Sequence, residues 1–351
     1  MNKTILLIGN HLSGSNLNPT VIEELGDKLS NNGWRVIKTS SQKNKIIRLM
    51  DMLFTIFLKK KSYRLSLIEL YSGLAFWWAY FCGCLLNFLK KPFILVLHGG
   101  NLPVFANSYP TYVRKLFSWV NDVYSPSPYL KEKLNSFYQN IKIIPNPIDI
   151  GKYEFRPRNK ISPKLIWLRA FHEIYNPSLV PQVILKLLSY QIEELKIIMV
   201  GPDKGDGSLQ EMVKLSEQLN VDRYIKIIPG VSKDQVPFYL NQGNIFINTT
   251  NVDNTPVSVI EAMACGLCVV TTNVGGIPYL LEHEIDALLV PPDDPEAMAA
   301  SIQRILDDPE LASRLSTNAR KKAEQFDWSI VLPQWERSFE KILEKKSNVN
   351  N

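Results

Sequence analysis

Only four cysteines stand in 351 residues, Cys82, Cys84, Cys265 and Cys268. That is too few for a disulfide scaffold, and reduced thiols in a cytosolic protein are the simpler reading. Long apolar runs are missing too. The opening MNKTILLIGNHL reaches Gly-Asn after a short run. It lacks the apolar core and small-residue cleavage site of a secretion signal, and reads as a first buried strand. The stretch LAFWWAYFCGCLLNFL ends after 16 residues at Lys90-Lys91, short of the ~20 that a bilayer span needs. Four histidines, His11, His98, His172 and His283, show no zinc-ligand spacing. No zinc-finger spacing, RNA-binding aromatic motif or heptad-repeat basic helix occurs, which argues against a nucleic-acid partner.

Charge is present but unevenly spread. Residues 1–150 carry 18 Lys+Arg against 8 Asp+Glu, whereas residues 151–351 carry 22 against 26. The basic half suggests an anionic partner, and an acidic membrane surface is the better candidate. One segment fits. In KIIRLMDMLFTIFLKKK, residues 45–61, Lys45, Arg48, Asp51, Thr55 and Lys59 recur on one narrow polar stripe beside a broad apolar face. This is either an interfacial membrane helix anchored by Lys59, Lys60 and Lys61 or a buried crossover helix. The 16-residue stretch reads mainly as core.

Hydrophobic residues make up 45% and charged residues 21%, an ordinary globular balance at a length that suits two domains. Short continuous apolar runs alternate with helical periods. Strands are expected at Ile5–Ile8, Phe93–Leu97, Asp122–Tyr124, Lys142–Ile144, Lys164–Leu168, Lys196–Val200, Tyr224–Ile228, Ile245–Asn248 and Cys268–Thr272, with helices at Thr20–Asn31, Leu209–Leu219 and Pro295–Leu306. Runs without alternation fit parallel strands buried on both faces. The pattern predicts two doubly wound α/β domains. A Pro- and Asn-rich linker, IIPNPIDIGKYEFRPRNK, separates residues 1–150 from 151–332. The tail is helical in pattern, with a break around QFDWSIVLP.

The stretch DNTPVSVIEAMACG, residues 253–266, carries the clearest functional signal. Asn254 or Thr255 can cap a helix, Pro256 suits its first position and Gly266 its C′ position. Such a helix mouth offers free N–H groups and a partial positive charge, a natural phosphate seat. Asp253 stands outside it and Glu261 inside, placed to accept from hydroxyls on either side of a diphosphate. Read by itself, the stretch is equally a capped helix with two solvated acids.

Asp253-x7-Glu261, followed by Ala-Met-Ala-Cys-Gly and VVTTNVGGIPYLL, resembles the nucleotide-sugar site of the retaining glycosyltransferases of family 4 (glycosyl transferases group 1). The usual motif there is Glu-x7-Glu, and Asp253 is one methylene shorter. The resemblance implies the GT-B fold, two Rossmann-like domains facing across a cleft, with the acceptor on residues 1–150 and the donor on 151–332. It also implies that a last helix, about 333–351, packs back on the first domain. Asp253 would hold the transferred sugar and Glu261 the ribose, with N–H groups around Asn254, Thr255, Pro256 and Val257 near sugar and phosphate. His98-Gly99-Gly100 in ILVLHGGN matches the family's His-Gly motif beside the donor sugar. Arg169 matches its phosphate arginine, while the lysine that usually follows is replaced by His172, Glu173, Tyr175 and Asn176. Gly201, Gly230 and Val231 fall where the family meets the nucleotide, and Gly14 and Ser15 on the first loop where it binds acceptor or phosphate.

The implied function is retaining sugar transfer from a UDP- or GDP-sugar to a sugar or lipid-linked acceptor in polysaccharide or glycolipid synthesis. The leaving diphosphate would itself help deprotonate the acceptor. No Asp-x-Asp occurs, so no metal and no cofactor is expected. The expected location is cytoplasmic, peripheral on the inner face of a membrane. Other sugar-nucleotide chemistry, such as epimerisation, and a non-catalytic membrane-associated binder are the alternatives. Cys265-x-x-Cys268 falls at a helix end, the wrong polarity for an activated redox pair.

Overall fold

The computed structural model describes residues 3–13 and 19–349. Residues 1–147 with 329–351 form one compact unit and residues 148–328 another.

The first unit runs β1 (Thr4–Ile8), α1 (Val21–Asn31), β2 (Arg35–Thr39), α2 (Lys45–Leu58), β3 (Leu65–Leu70), α3 (Leu74–Phe88), β4 (Phe93–Leu97), α4 (Leu102–Ser108), α5 (Pro110–Phe117), β5 (Asp122–Ser125), α6 (Pro128–Lys133) and β6 (Lys142–Ile143). Its sheet is parallel throughout, in the order β2-β1-β3-β4-β5-β6. The second unit runs β7 (Lys164–Leu168), α7 (Leu179–Ser189), β8 (Lys196–Val200), α8 (Ser208–Gln218), β9 (Ile225–Ile228), α9 (Val236–Leu240), β10 (Ile245–Asn248), α10 (Val257–Ala264), β11 (Cys268–Thr272), α11 (Ile277–Leu280), β12 (Leu288–Val290), α12 (Pro295–Asp307), α13 (Pro309–Ala323) and α14 (Trp328–Val349). From Ser329 onward α14 belongs to the first unit. The second sheet is also parallel, β12-β11-β10-β7-β8-β9. Each unit is therefore a Rossmann-like doubly wound domain.

The nine expected strands are present within a residue at each end. Three more were not expected. Edge strand β2, RVIKT, is half exposed and carries Arg35 and Lys38, and β12 has three residues. Strand β3, LSLIEL, is fully buried with Ser66 and Glu69 inside it, polar residues that mask a continuous apolar run. In the tail a 3₁₀ turn at Glu324–Phe326 makes the break, while Pro333 lies inside α14 rather than at its start.

Packing follows the winding. In the second unit α7 and α12 bury one face of the sheet and α10 the other. In the first, α2, α3 and α5 close over one apolar layer. The tail is tied to that unit by Trp335, 5.2 Å from the Tyr124 ring, and by Glu336, which accepts from Trp34 Nε1 at 3.0 Å.

Candidate functional site

Strands β7 and β10 are neighbours whose helices, α7 and α10, leave to opposite faces. The gap beyond their carboxyl ends is the topological switch point, where such sheets receive ligands. Arg169 follows β7 directly, and the loop after β10 delivers Asp253. The Arg169 guanidinium pairs with the Asp253 carboxylate, donates to Ser258 Oγ at 3.3 Å and lies 4.0 Å over the Tyr175 ring. The two charged side chains are only 11% and 12% exposed. Burial pushes the Asp253 carboxyl up and the guanidinium beside it pulls it back. Arg169 Nε is buried with no hydrogen-bond partner among the described residues. The residues that replace the family's lysine are placed here too: Tyr175 lies under Arg169, and His172 Nδ1 is 3.7 Å from Asp206.

Helix α10 starts one residue later than expected. Pro256, not Asn254 or Thr255, holds the cap position, and it gives no side-chain cap hydrogen bond. Asn254 N–H instead donates to Asp253 Oδ1 at 2.9 Å, which orients the carboxylate. Gly266 takes φ +75 beyond the end of the helix, as its C′ place requires. The following Gly275-Gly276 packs on the acid's own backbone. A Cβ on Gly275 would come 2.1 Å from the Asp253 carbonyl oxygen, and one on Gly276 would come 1.9 Å from that of Asn254. Gly201 does the same between β8 and β7, where a Cβ would meet the Arg169 carbonyl oxygen at 1.7 Å. Gly230 and Val231 follow β9, with Gly230 at φ +74.

Five residues into α10, Glu261 is buried and accepts from Tyr153 Oη at 2.6 Å and pairs with Lys233 Nζ at 2.5 Å. The sequence reading did not single out either partner. Lys233 stands two residues after Val231 and supplies the cation at Glu261. Each acid of the motif thus holds its own base. The other short-spaced pair does less: Cys265 and Cys268 are buried at the end of α10 and the start of β11, with both thiols pushed up to about 12.

In the first unit His98 follows β4. Its ring stacks on Tyr71 at 4.8 Å, and its Nε2 lies 3.4 Å from Glu69 Oε1. Burial pushes Glu69 up to about 8 and His98 down to about 4, favouring the neutral form of each. Glu69 Oε2 accepts from Asn10 N–H at 3.4 Å, and a Cβ on Gly9 would come 2.4 Å from it. These residues sit where β1 and β3 diverge, the switch point of the first sheet. Gly99, at φ +80, and Gly100 continue from His98. Glu69 escaped the sequence reading because β3 did. Gly14 and Ser15 lie outside the described residues.

The sequence profile of glycosyl transferases group 1 matches residues 154–322. That segment, just under half of the chain, is similar to the glycosyl transferases group 1. The matched segment holds Arg169, Gly201, Lys233, Asp253 and Glu261. The D-inositol 3-phosphate glycosyltransferase of Streptomyces bingchenggensis is 26% identical over 187 residues, 51% of this chain and 41% of the relative. An uncharacterized glycosyltransferase of Haemophilus influenzae is 28% identical over 133 residues, 37% of each chain. The chain thus spans about two fifths of the length of these curated relatives. Among solved structures, the sucrose-phosphate synthase of Thermosynechococcus elongatus aligns with a TM-score of 0.81 at 17% identity, covering 98% of this chain and all of the other. Anabaena HepE, solved with UDP and glucose, aligns with a TM-score of 0.76 at 16% identity, covering 97% and 100%. At these identities the likeness is one of fold.

Proposed function

We propose that this chain transfers a sugar from a nucleoside-diphosphate sugar, a UDP-sugar in the first instance, to a hydroxyl of a sugar or lipid-linked acceptor, with retention of configuration. The observation that carries the reading is the pair of buried acids around the start of α10, each matched to a base at the switch point of a domain similar to group 1. Glu261 accepts from the ribose hydroxyls, which take over from Tyr153 and Lys233. Asp253 accepts from hydroxyls of the transferred sugar. Arg169 and the N–H groups at the start of α10 stabilise the charge that builds on the leaving diphosphate. Lys233, released from Glu261, is a candidate for the phosphate role usually given to the missing lysine. A leaving-diphosphate oxygen then helps deprotonate the acceptor on the same face of the sugar, so no protein base is assigned. UDP is favoured because the neighbouring fold of HepE was solved with it.

The test is calorimetric titration with UDP, GDP and ADP, on the wild type and on Glu261→Ala. One nucleotide should bind at micromolar Kd, and the variant should lose at least tenfold, the range for a hydrogen bond to a charged group. Binding that is unchanged in the variant would sink the assignment. Product analysis with the matching sugar nucleotide then separates transfer from epimerisation.

A further inference from the structure

Helix α2 reverses the usual arrangement of a surface helix. Its Arg48 is buried, donating to the Gln42 and Lys43 carbonyls and to Asn10 Oδ1, with the guanidinium 5.1 Å over the Trp78 ring. Asp51 accepts from Thr39 Oγ1 at 3.3 Å, and Met52 and Ile56 pack inward. Leu49 and Leu53 are half-buried, and six further apolar side chains face out: Ile46, Ile47, Met50, Phe54, Phe57 and Leu58 are 46–76% exposed. At about 100° per residue these six fall within an arc of ~120°. Helix α3, packed beside α2, adds Leu74, Phe81 and Phe88, spaced seven apart and so on one side of it. An apolar face of this extent is more than scattered surface residues account for.

Its surroundings say what covers it. From Lys45 to Asn121 the chain carries ten Lys+Arg and two carboxylates, Asp51 and Glu69. The first turns toward Thr39 and the second is buried. Lys43 and Lys45 stand at one end of α2, Lys59, Lys60 and Lys61 at the other, and Lys90 and Lys91 beyond α3. A second copy of this chain would bring these cations against themselves. An anionic lipid surface offers hydrocarbon for the centre and negative charge for the rim. Among the described residues no helix is long and apolar enough to cross a membrane, so attachment here is by lying on the surface.

We propose that the α2–α3 face docks on an anionic lipid surface, with Phe54, Phe57 and Leu58 among the acyl chains and the 59–61 lysines at the headgroups. This stands independently of the sugar-transfer reading, which nucleotide titration tests with no lipid present.

Co-sedimentation of the full-length protein with phosphatidylcholine vesicles, with and without phosphatidylglycerol, tests it. The protein should pellet with the phosphatidylglycerol vesicles and be released by salt. Phe54→Glu combined with Phe57→Glu should lower the partition at least tenfold, and each Lys→Ala at 59, 60 or 61 about fivefold. The substituted side chains are exposed, so the melting temperature should hold. Leu185→Glu, exposed on α7 of the second unit, should leave binding unchanged. The proposal is overturned if the wild type stays in the supernatant, or if the double variant pellets equally well. It is also overturned if the lipid-free wild type is a dimer that the double variant splits, since the face is then covered by a second copy.

Discussion

At the scale of single residues, the two acids of the motif are distinguished by the bases they hold. Arg169 grips Asp253 and Ser258 with different nitrogens, a fork that the single ammonium of lysine cannot reproduce. Arg169→Lys should lower kcat about 100-fold with a much smaller change in donor KM, measured by steady-state kinetics with the donor found by titration. A second residue carries a pH signature. Burial raises Glu69 from 4.5 to about 8 and lowers His98 from 6.5 to about 4. The folded state therefore holds a proton on Glu69 that the unfolded chain releases above about 4.5, and stability falls as pH rises toward 8. For His98 the sign is opposite: the unfolded chain takes up a proton below 6.5, so stability falls as pH drops from 6.5 toward 4. The two slopes oppose each other below pH 6.5, and only that of Glu69 remains above it. Thermal melts at pH 6.5 and 8 should show the wild type losing stability across this window and Glu69→Gln losing less. Asp253 and Glu261 were singled out by the resemblance of their motif. Lys233, Tyr153 and Glu69 were not, because each reaches its partner from another element, and no local pattern records that.

At the scale of elements, the strands of the second unit are held in register by glycines as much as by apolar side chains. Gly201→Ala would drive a methyl into the Arg169 carbonyl, part β8 from β7 and displace Arg169 with them. The expected loss is about 1–3 kcal/mol or more, read from urea unfolding, with UDP affinity falling alongside. Helix α14 makes the corresponding case in the first unit. Trp335→Ala removes a buried ring stacked on Phe339 and set against Tyr124, and should cost about 3–5 kcal/mol, read from the same melt. Strand β3 and helix α2 show where pattern reading stops. Two polar residues hid a fully buried strand. In α2 the polar stripe was visible in the sequence, but periodicity cannot tell which side of an amphipathic helix meets the protein.

At the scale of the whole molecule, the chain has two units with separate apolar cores, and the residues proposed for the ribose and the leaving diphosphate, Glu261 and Arg169, lie in the second. Urea unfolding followed by fluorescence should show two transitions. UDP at about 100 times its Kd should raise the stability of the second unit by ~2.7 kcal/mol and leave the first unmoved. A shift confined to the first unit would place the nucleotide elsewhere. Charge divides the same way, with the surplus of Lys+Arg in residues 1–150 and the deficit in the rest.

Continuous apolar runs of four or five residues determined several of the strands, because a parallel strand buried on both faces can carry little else. Asp253, Glu261 and Arg169 were singled out by a family resemblance carried on short motifs beside strand ends. Tertiary structure alone decided the partners: Lys233 and Tyr153 on Glu261, Ser258 and Tyr175 on Arg169, Glu69 on His98. It also decided the orientation of α2. These depend on loops and helices brought together from distant parts of the chain by the strand order, and strand order is a property of the folded sheet that spacing along the sequence does not carry.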